Sequence, residues 1–161
     1  AVIGKGNIMD ATQRTFISST FWTERIGPTA ALKTLEVMEK TKSWDFVTKT
    51  GKLIKNKWDQ ISIENNIKIK HKGIPALAGF DFESKNNLKY KTFVTQEMLK
   101  VGYLADNRIY VCLEHNEKIL DGYFDRLNTI FHKISLCESG ELNIDDLLEG
   151  EICHSSFKRL N

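Results

Sequence analysis

The chain has 161 residues, of which 41% are hydrophobic and 27% charged, with a formal net charge of +2 and a pI of about 8.4. This suits one globular domain with a sizeable core, and the charge is too mild to mark a nucleic-acid or membrane-surface protein. No apolar run approaches the roughly 20 residues of a membrane span. No secretory signal pattern appears, and three scattered cysteines (Cys112, Cys137, Cys153) with four histidines (His71, His115, His132, His154) form no CxxC. That argues against a zinc site and for a reducing, cytoplasmic compartment.

Ala1 to Ile3 predicts a short strand, broken by Gly4 and Gly6, and a chain that opens inside an element is expected to be cut from a longer one. Asn7 to Gln13 predicts a short helix capped by Asn7. The stretch from Thr15 to Leu32, TFISSTFWTERIGPTAAL, follows, with six Ser or Thr and three aromatics in eighteen residues. It reads either as an N-capping loop or as a hydroxyl-lined site for a phosphate at a helix N-terminus. From about Arg25 to Lys42 the spacing of Ile26, Ala30, Leu32, Leu35, Val37 and Met38 is helical, with Pro28 tolerated in the first turns. Ser43 is the expected cap of a second helix, in which Trp44, Val47, Gly51, Ile54, Trp58 and Ile61 recur, ended by Asn65-Asn66.

The pattern then shortens. Ile67 to His71 alternates, with Lys68, Lys70 and Lys72 on one wet face, and Ala76 to Phe82 alternates loosely after a Lys72–Pro75 turn. Leu88 to Lys91 is a weaker strand candidate. Thr92 to Val101 predicts a helix with Phe93, Met98, Leu99 and Val101 inward and Gly102 as its stop. Arg108 to Leu113 is a strand of β-formers. Asn116 to about Leu136 is the clearest helix, and NIDDLLEG allows one more turn with Asp145-Asp146 at its start. The whole predicts an α+β domain: a small, mostly antiparallel sheet of three to four strands with helices packed on one face, preceded by two helices.

Catalytic motifs are thin. There is no GxGxxG, P-loop, GxSxG or HExxH, and Gly4-Lys5-Gly6 lacks the rest of a Walker motif. His115 reads as a capping or packing residue. Phe16, Phe21 and Trp22 are either core or the wall of a ring-binding site.

NIMDATQRTFISSTFWTERIGPTAALKTLEVMEK resembles the start of the C-terminal small domain of class III, fold-type-I pyridoxal-phosphate (PLP) aminotransferases, nearest to glutamate-1-semialdehyde aminotransferase and its relatives. AVIGKGNIMD resembles the segment after that family's cofactor lysine. VTQEMLKVGYLADNRIYVCLEHNEKILDGYFDRLNTIF is similar to its late helix, strand and final helix. Residues 43 to 90 match mainly in order of elements. The resemblance implies that residues 1–22 link from a large cofactor-binding domain and that residues 23–161 form the small domain. It implies a parent that moves an amino group between an amine and a keto or aldehyde substrate and works as a homodimer, and the mild net charge adds the expectation that it binds neither nucleic acid nor membrane.

The resemblance also implies that Thr20, with Ser19 beside it, contacts the cofactor phosphate, since Ser19-Thr20-Phe21 falls on the family's Gly-Thr-Phe. The family's following Ser-Gly-Asn-Pro is Trp22-Thr23-Glu24-Arg25 here. Trp22 and Arg25 are therefore either substrate contacts or structural residues, and the substrate is expected to differ from glutamate semialdehyde. The cofactor lysine would precede Ala1, and Lys5 falls after its position, so the chain alone is expected to be inactive. The reading of another class is a stand-alone interaction domain that kept the fold.

Overall fold

A computed structural model describes residues 3–15 and 24–155. The chain divides into two compact units, Ala1–Thr41 and Lys42–Asn161.

In the first unit, α1 (Gly6–Met9) passes into a 3-10 turn over Asp10–Arg14, and α2 spans Ile26–Thr41. The short helix therefore starts one residue before the expected Asn7 cap, behind Lys5, and no side chain caps it. Of the expected N-terminal strand, Ile3 alone is described, and it is extended from the surface at 91% exposure. Pro28 stands in the first turn of α2, where its missing N–H and fixed φ do no harm. No residue of α2 is buried within the chain, although Ile26, Leu32, Leu35, Val37 and Met38 give it apolar side chains.

The second unit opens with α3 (Ser43–Glu64) and then adds β1 (Ile69–Lys72), β2 (Leu77–Phe82), α4 (Asn87–Lys100), β3 (Arg108–Tyr110), α5 (Glu117–Ser139) and α6 (Ile144–Leu147). Ser43 is the first helical residue of α3 rather than its cap. The chain enters through Lys42 in the left-handed region (φ 47°), and no side chain caps the helix. The strands form one antiparallel sheet in the order β1-β2-β3. Alternation places Ala78, Phe80 and Phe82 on the buried face, and Leu77, Gly79 and Asp81 on the other.

Helices α3, α4 and α5 cover the buried face. Trp58 of α3 and Phe131 of α5 both meet Phe80 edge-on, at ring centroids of 4.8 and 5.9 Å. Tyr90 of α4 meets Phe82 at 5.6 Å. This α+β arrangement, with helices on one face, is the one expected from the sequence. The Lys70/Lys72 alternation holds as well: both are exposed, while Ile69 and His71 are half-buried.

Some local expectations give way to packing. Leu88 to Lys91 is the first turn of α4, because Tyr90, Phe93, Val94 and Met98 enter the core at helical spacing. Leu99 on that helix and Val101 at its C-cap are both exposed. The strand begun at Arg108 stops at Tyr110, where the ladder with β2 ends. The long helix behaves as its sequence suggests. Asn116 caps it by accepting from Ile119 N at 3.2 Å. Gly140 (φ 84°) ends it in a Schellman turn, with Glu141 N–H on Leu136 O and Gly140 N–H on Cys137 O. Asp145 and Asp146 sit in the first turn of α6, under the Asn143 cap.

Candidate functional site

The residues named from the sequence concern the start of α2. Ser19, Thr20 and Trp22 lie outside the described residues. Arg25 is described and exposed, one residue before α2, where its carbonyl accepts Thr29 N–H at 3.0 Å. Glu24 folds forward so that its Oε1 accepts Gly27 N–H at 2.7 Å. A carboxylate thus already takes one of the donors that a helix start offers to an anion. Thr29 N–H is satisfied by Arg25 and Pro28 has none, which leaves Ile26 N–H. The described part of this segment does not by itself make a phosphate cradle.

The second unit holds a cleft that the sequence reading did not assemble. It runs along the free edge of β3, between residues 103–105 and the first turns of α5, with a volume of about 290 Å³. Ile109, Leu120 and Tyr123 give it an apolar floor, and Tyr103 forms a wall. Gly122 explains how Tyr103 fits. A Cβ at this position would stand 2.5 Å from the Tyr103 hydroxyl, so a glycine in the second turn of a 23-residue helix, at a cost near 1 kcal/mol in helix propensity, makes room for the phenol. The ring then meets Tyr123 edge-on at 6.2 Å.

Two nitrogen-bearing side chains complete the lining. His115 accepts the Cys112 backbone N–H on Nδ1 at 3.0 Å, so the neutral ring carries its proton on Nε2 and has a donor to offer. The residue that read as capping or packing holds the Cys112–His115 turn in this way. Arg108 adds a guanidinium that no carboxylate approaches within 4.0 Å among the described residues. Asp106, two residues away, turns instead to Lys91 at 3.6 Å and to the Arg108 backbone N–H at 2.7 Å.

An apolar slot with an imidazole N–H at its edge suits a ligand with an apolar body and a hydrogen-bond acceptor. Among the described residues no group of His, Cys, Asp and Glu is placed to hold a metal ion, and no helix is long and apolar enough to cross a membrane. The usable sequence signals were the alternation in Arg108-Ile109-Tyr110, which puts Arg and Tyr on one face, and the interior glycine of α5.

Comparison with known proteins gives two partial likenesses. No family model matches the chain. The 3-aminobutyryl-CoA aminotransferase of Cloacimonas acidaminovorans (strain Evry) is 24% identical over 126 residues, which cover 74% of this chain and 30% of that protein. The structure of the PLP internal aldimine form of Sphingopyxis sp. MTA144 FumI protein superposes with a TM-score of 0.71 at 15% identity, over 91% of this chain and 36% of that one. The chain has the fold of part of FumI. It spans about a third of the length of each of these two proteins.

Proposed function

We propose that this chain is the C-terminal small domain of a PLP-dependent class III aminotransferase. The observation that carries the reading is the fold shared with FumI over 91% of the chain. The independent 24% identity to an aminotransferase supports it, as does the family-like segment ahead of α2. In this reading residues 1–22 lead from a cofactor-binding domain, and residues 23–161 are the small domain. Ser19 and Thr20 contact the cofactor phosphate, and Trp22 and Arg25 face the substrate. The cofactor supplies the electron sink for moving the amino group, and this chain supplies contacts and part of a wall.

The substrate class is an amine paired with a keto or aldehyde acceptor. Trp22-Thr23-Glu24-Arg25 stands where glutamate-1-semialdehyde enzymes keep small residues and a proline, which favours an acceptor other than that semialdehyde. The parent is a cytoplasmic homodimer in this reading.

The test is to express the whole reading frame that contains Ala1 to Asn161 and record its visible spectrum with and without borohydride. A yellow protein whose reduced form fixes the cofactor to a lysine upstream of Ala1 is the expected result. A colourless product that ignores PLP leaves the fold alone and turns the reading to an interaction domain. The purified 161-residue chain, given PLP and an amine–keto pair, is expected to show no turnover.

A further inference from the structure

The open face of the sheet carries a second arrangement. Lys72, Gly79 and Arg108 stand directly opposite one another across β1, β2 and β3, and alternation sends all three positions to the face away from the core. The middle position has no side chain. A Cβ there would lie 3.3 Å from Arg108 Cγ and 3.9 Å from Lys72 Cβ, so the two flanking stems close over the glycine, which is itself buried. A depression of about 290 Å³ opens here, bounded also by Leu77, Asp81 and Asn107.

Arg108 Cγ and Lys72 Cβ lie on either side of the Gly79 position, and both side chains end in N–H donors of the kind that hold an oxyanion. Among the described residues that line the depression, Asp81 is the one carboxylate beside Lys72 and Arg108. Asp81 is already engaged, by an ion pair with Lys72 and by Asn107 Nδ2 at 3.2 Å. Lys72 keeps further N–H donors, and the guanidinium of Arg108 has no carboxylate partner among the described residues. Arg presents a planar fork that matches phosphate or carboxylate oxygens two at a time. Asn107 is 4% exposed and spends its Nδ2 on Phe80 O at 2.6 Å and Asp81 Oδ1 at 3.2 Å, which holds the Asp81 carboxylate in place beside the depression.

We infer that the Lys72–Gly79–Arg108 row is a binding site for the phosphate group of a small molecule, held between the side-chain ends of Arg108 and Lys72 where their stems flank Gly79. The site uses the sheet's open face and needs no PLP, so it stands or falls apart from the aminotransferase reading.

The test is an amide-detected NMR titration of the 161-residue chain with inorganic phosphate and, separately, glycerol 3-phosphate, ionic strength held constant with sodium chloride. Saturable shifts centred on Gly79, Asn107 and Arg108 are expected. Arg108→Gln is expected to weaken binding at least tenfold and Lys72→Gln several-fold, while Lys118→Gln on α5 leaves it within twofold. The tighter of the two ligands identifies free phosphate or a phosphate ester as the source. Shifts that rise linearly without saturating overturn the site, as does an Arg108→Gln chain that binds as well as the parent sequence. Circular dichroism confirms that each variant is folded before it is titrated.

Discussion

Trp58 Nε1 donates to the Tyr123 hydroxyl at 3.1 Å, and both rings are buried. The bond joins the last third of α3 to the first half of α5 across 65 residues of sequence. Burial pushes the Tyr123 hydroxyl well above the usual phenol range, against the lowering effect of the Trp58 bond. Tyr123→Phe leaves the indole N–H without its partner in a dry core. The expected cost is about 1–3 kcal/mol, the penalty of an unsatisfied buried donor. Urea unfolding checks it, with the double variant Trp58→Phe/Tyr123→Phe as the comparison. That double variant removes both polar groups and is expected to lose less than the two single losses added.

Gly51 is a second point where one atom decides the packing. A Cβ at this position would stand 1.9 Å from Pro75 O and 2.9 Å from Pro75 Cα. Backbone thus meets backbone where α3 crosses the β1–β2 turn. Gly51→Ala gains helix propensity but forces helix and turn apart, at an expected net cost of about 1–3 kcal/mol. Gly150→Ala, with nothing within 4 Å of the added carbon, is the matched control and is expected within about 0.5 kcal/mol of the parent.

Alkaline pH finds its target in α4. Burial pushes the Tyr90 hydroxyl up to about 12, and its bond to Glu138 Oε1 at 2.6 Å adds to the rise. The unfolded chain ionises this phenol near pH 10, while the folded chain holds the proton until about 12. The stabilisation is therefore complete below pH 10 and is lost as pH climbs from 10 towards 12. Tyr90→Phe, itself less stable at neutral pH for want of the Glu138 bond, is expected to show a shallower decline over that window. Thermal unfolding at steps from pH 8 to 12 measures it. An equal slope in both proteins would place the alkaline loss elsewhere.

Much of this fold is legible from spacing alone. Leu120, Tyr123, Phe124, Leu127, Ile130, Phe131 and Ile134 form one stripe over about four turns, and no other secondary structure buries them together. Leu88 to Lys91 was ambiguous because four residues can obey both periods. The decision came from Phe93, Val94 and Met98 further along, which lock Tyr90 into a helical face. Leu99 and Val101 read as inward because an apolar side chain carries no label for its face, and Met98 had already filled the place beside them. The cleft was harder. Tyr103, Arg108 and His115 come from a loop, a strand and a pre-helical turn, and only the tertiary fold brings them to one edge. The hydroxyl-rich stretch is a different case: Ser19 and Thr20, the residues read as phosphate contacts, lie outside the described residues, and those that follow place Glu24 on the helix start.

Glu24 therefore offers the sharpest prediction about the proposed function. Its carboxylate holds Gly27 N–H at 2.7 Å, at the positive end of α2. In the 161-residue chain this is a capping interaction, worth about 1 kcal/mol to the helix. Glu24→Ala is expected to lower helicity by circular dichroism, and Glu24→Gln, which keeps an acceptor, to lower it less. In the full-length frame the same carboxylate lies a few residues from the phosphate contact proposed for Thr20, and like charges close together repel. Glu24→Gln is then expected to tighten cofactor retention several-fold, and Thr20→Ala to weaken it about tenfold, or about 1.4 kcal/mol. Release of PLP during dialysis, followed by its visible absorbance, measures both. Looser retention in Glu24→Gln would mean that the carboxylate orders the segment around the phosphate and does not compete with it. Retention unchanged in both variants would remove this segment from the cofactor site.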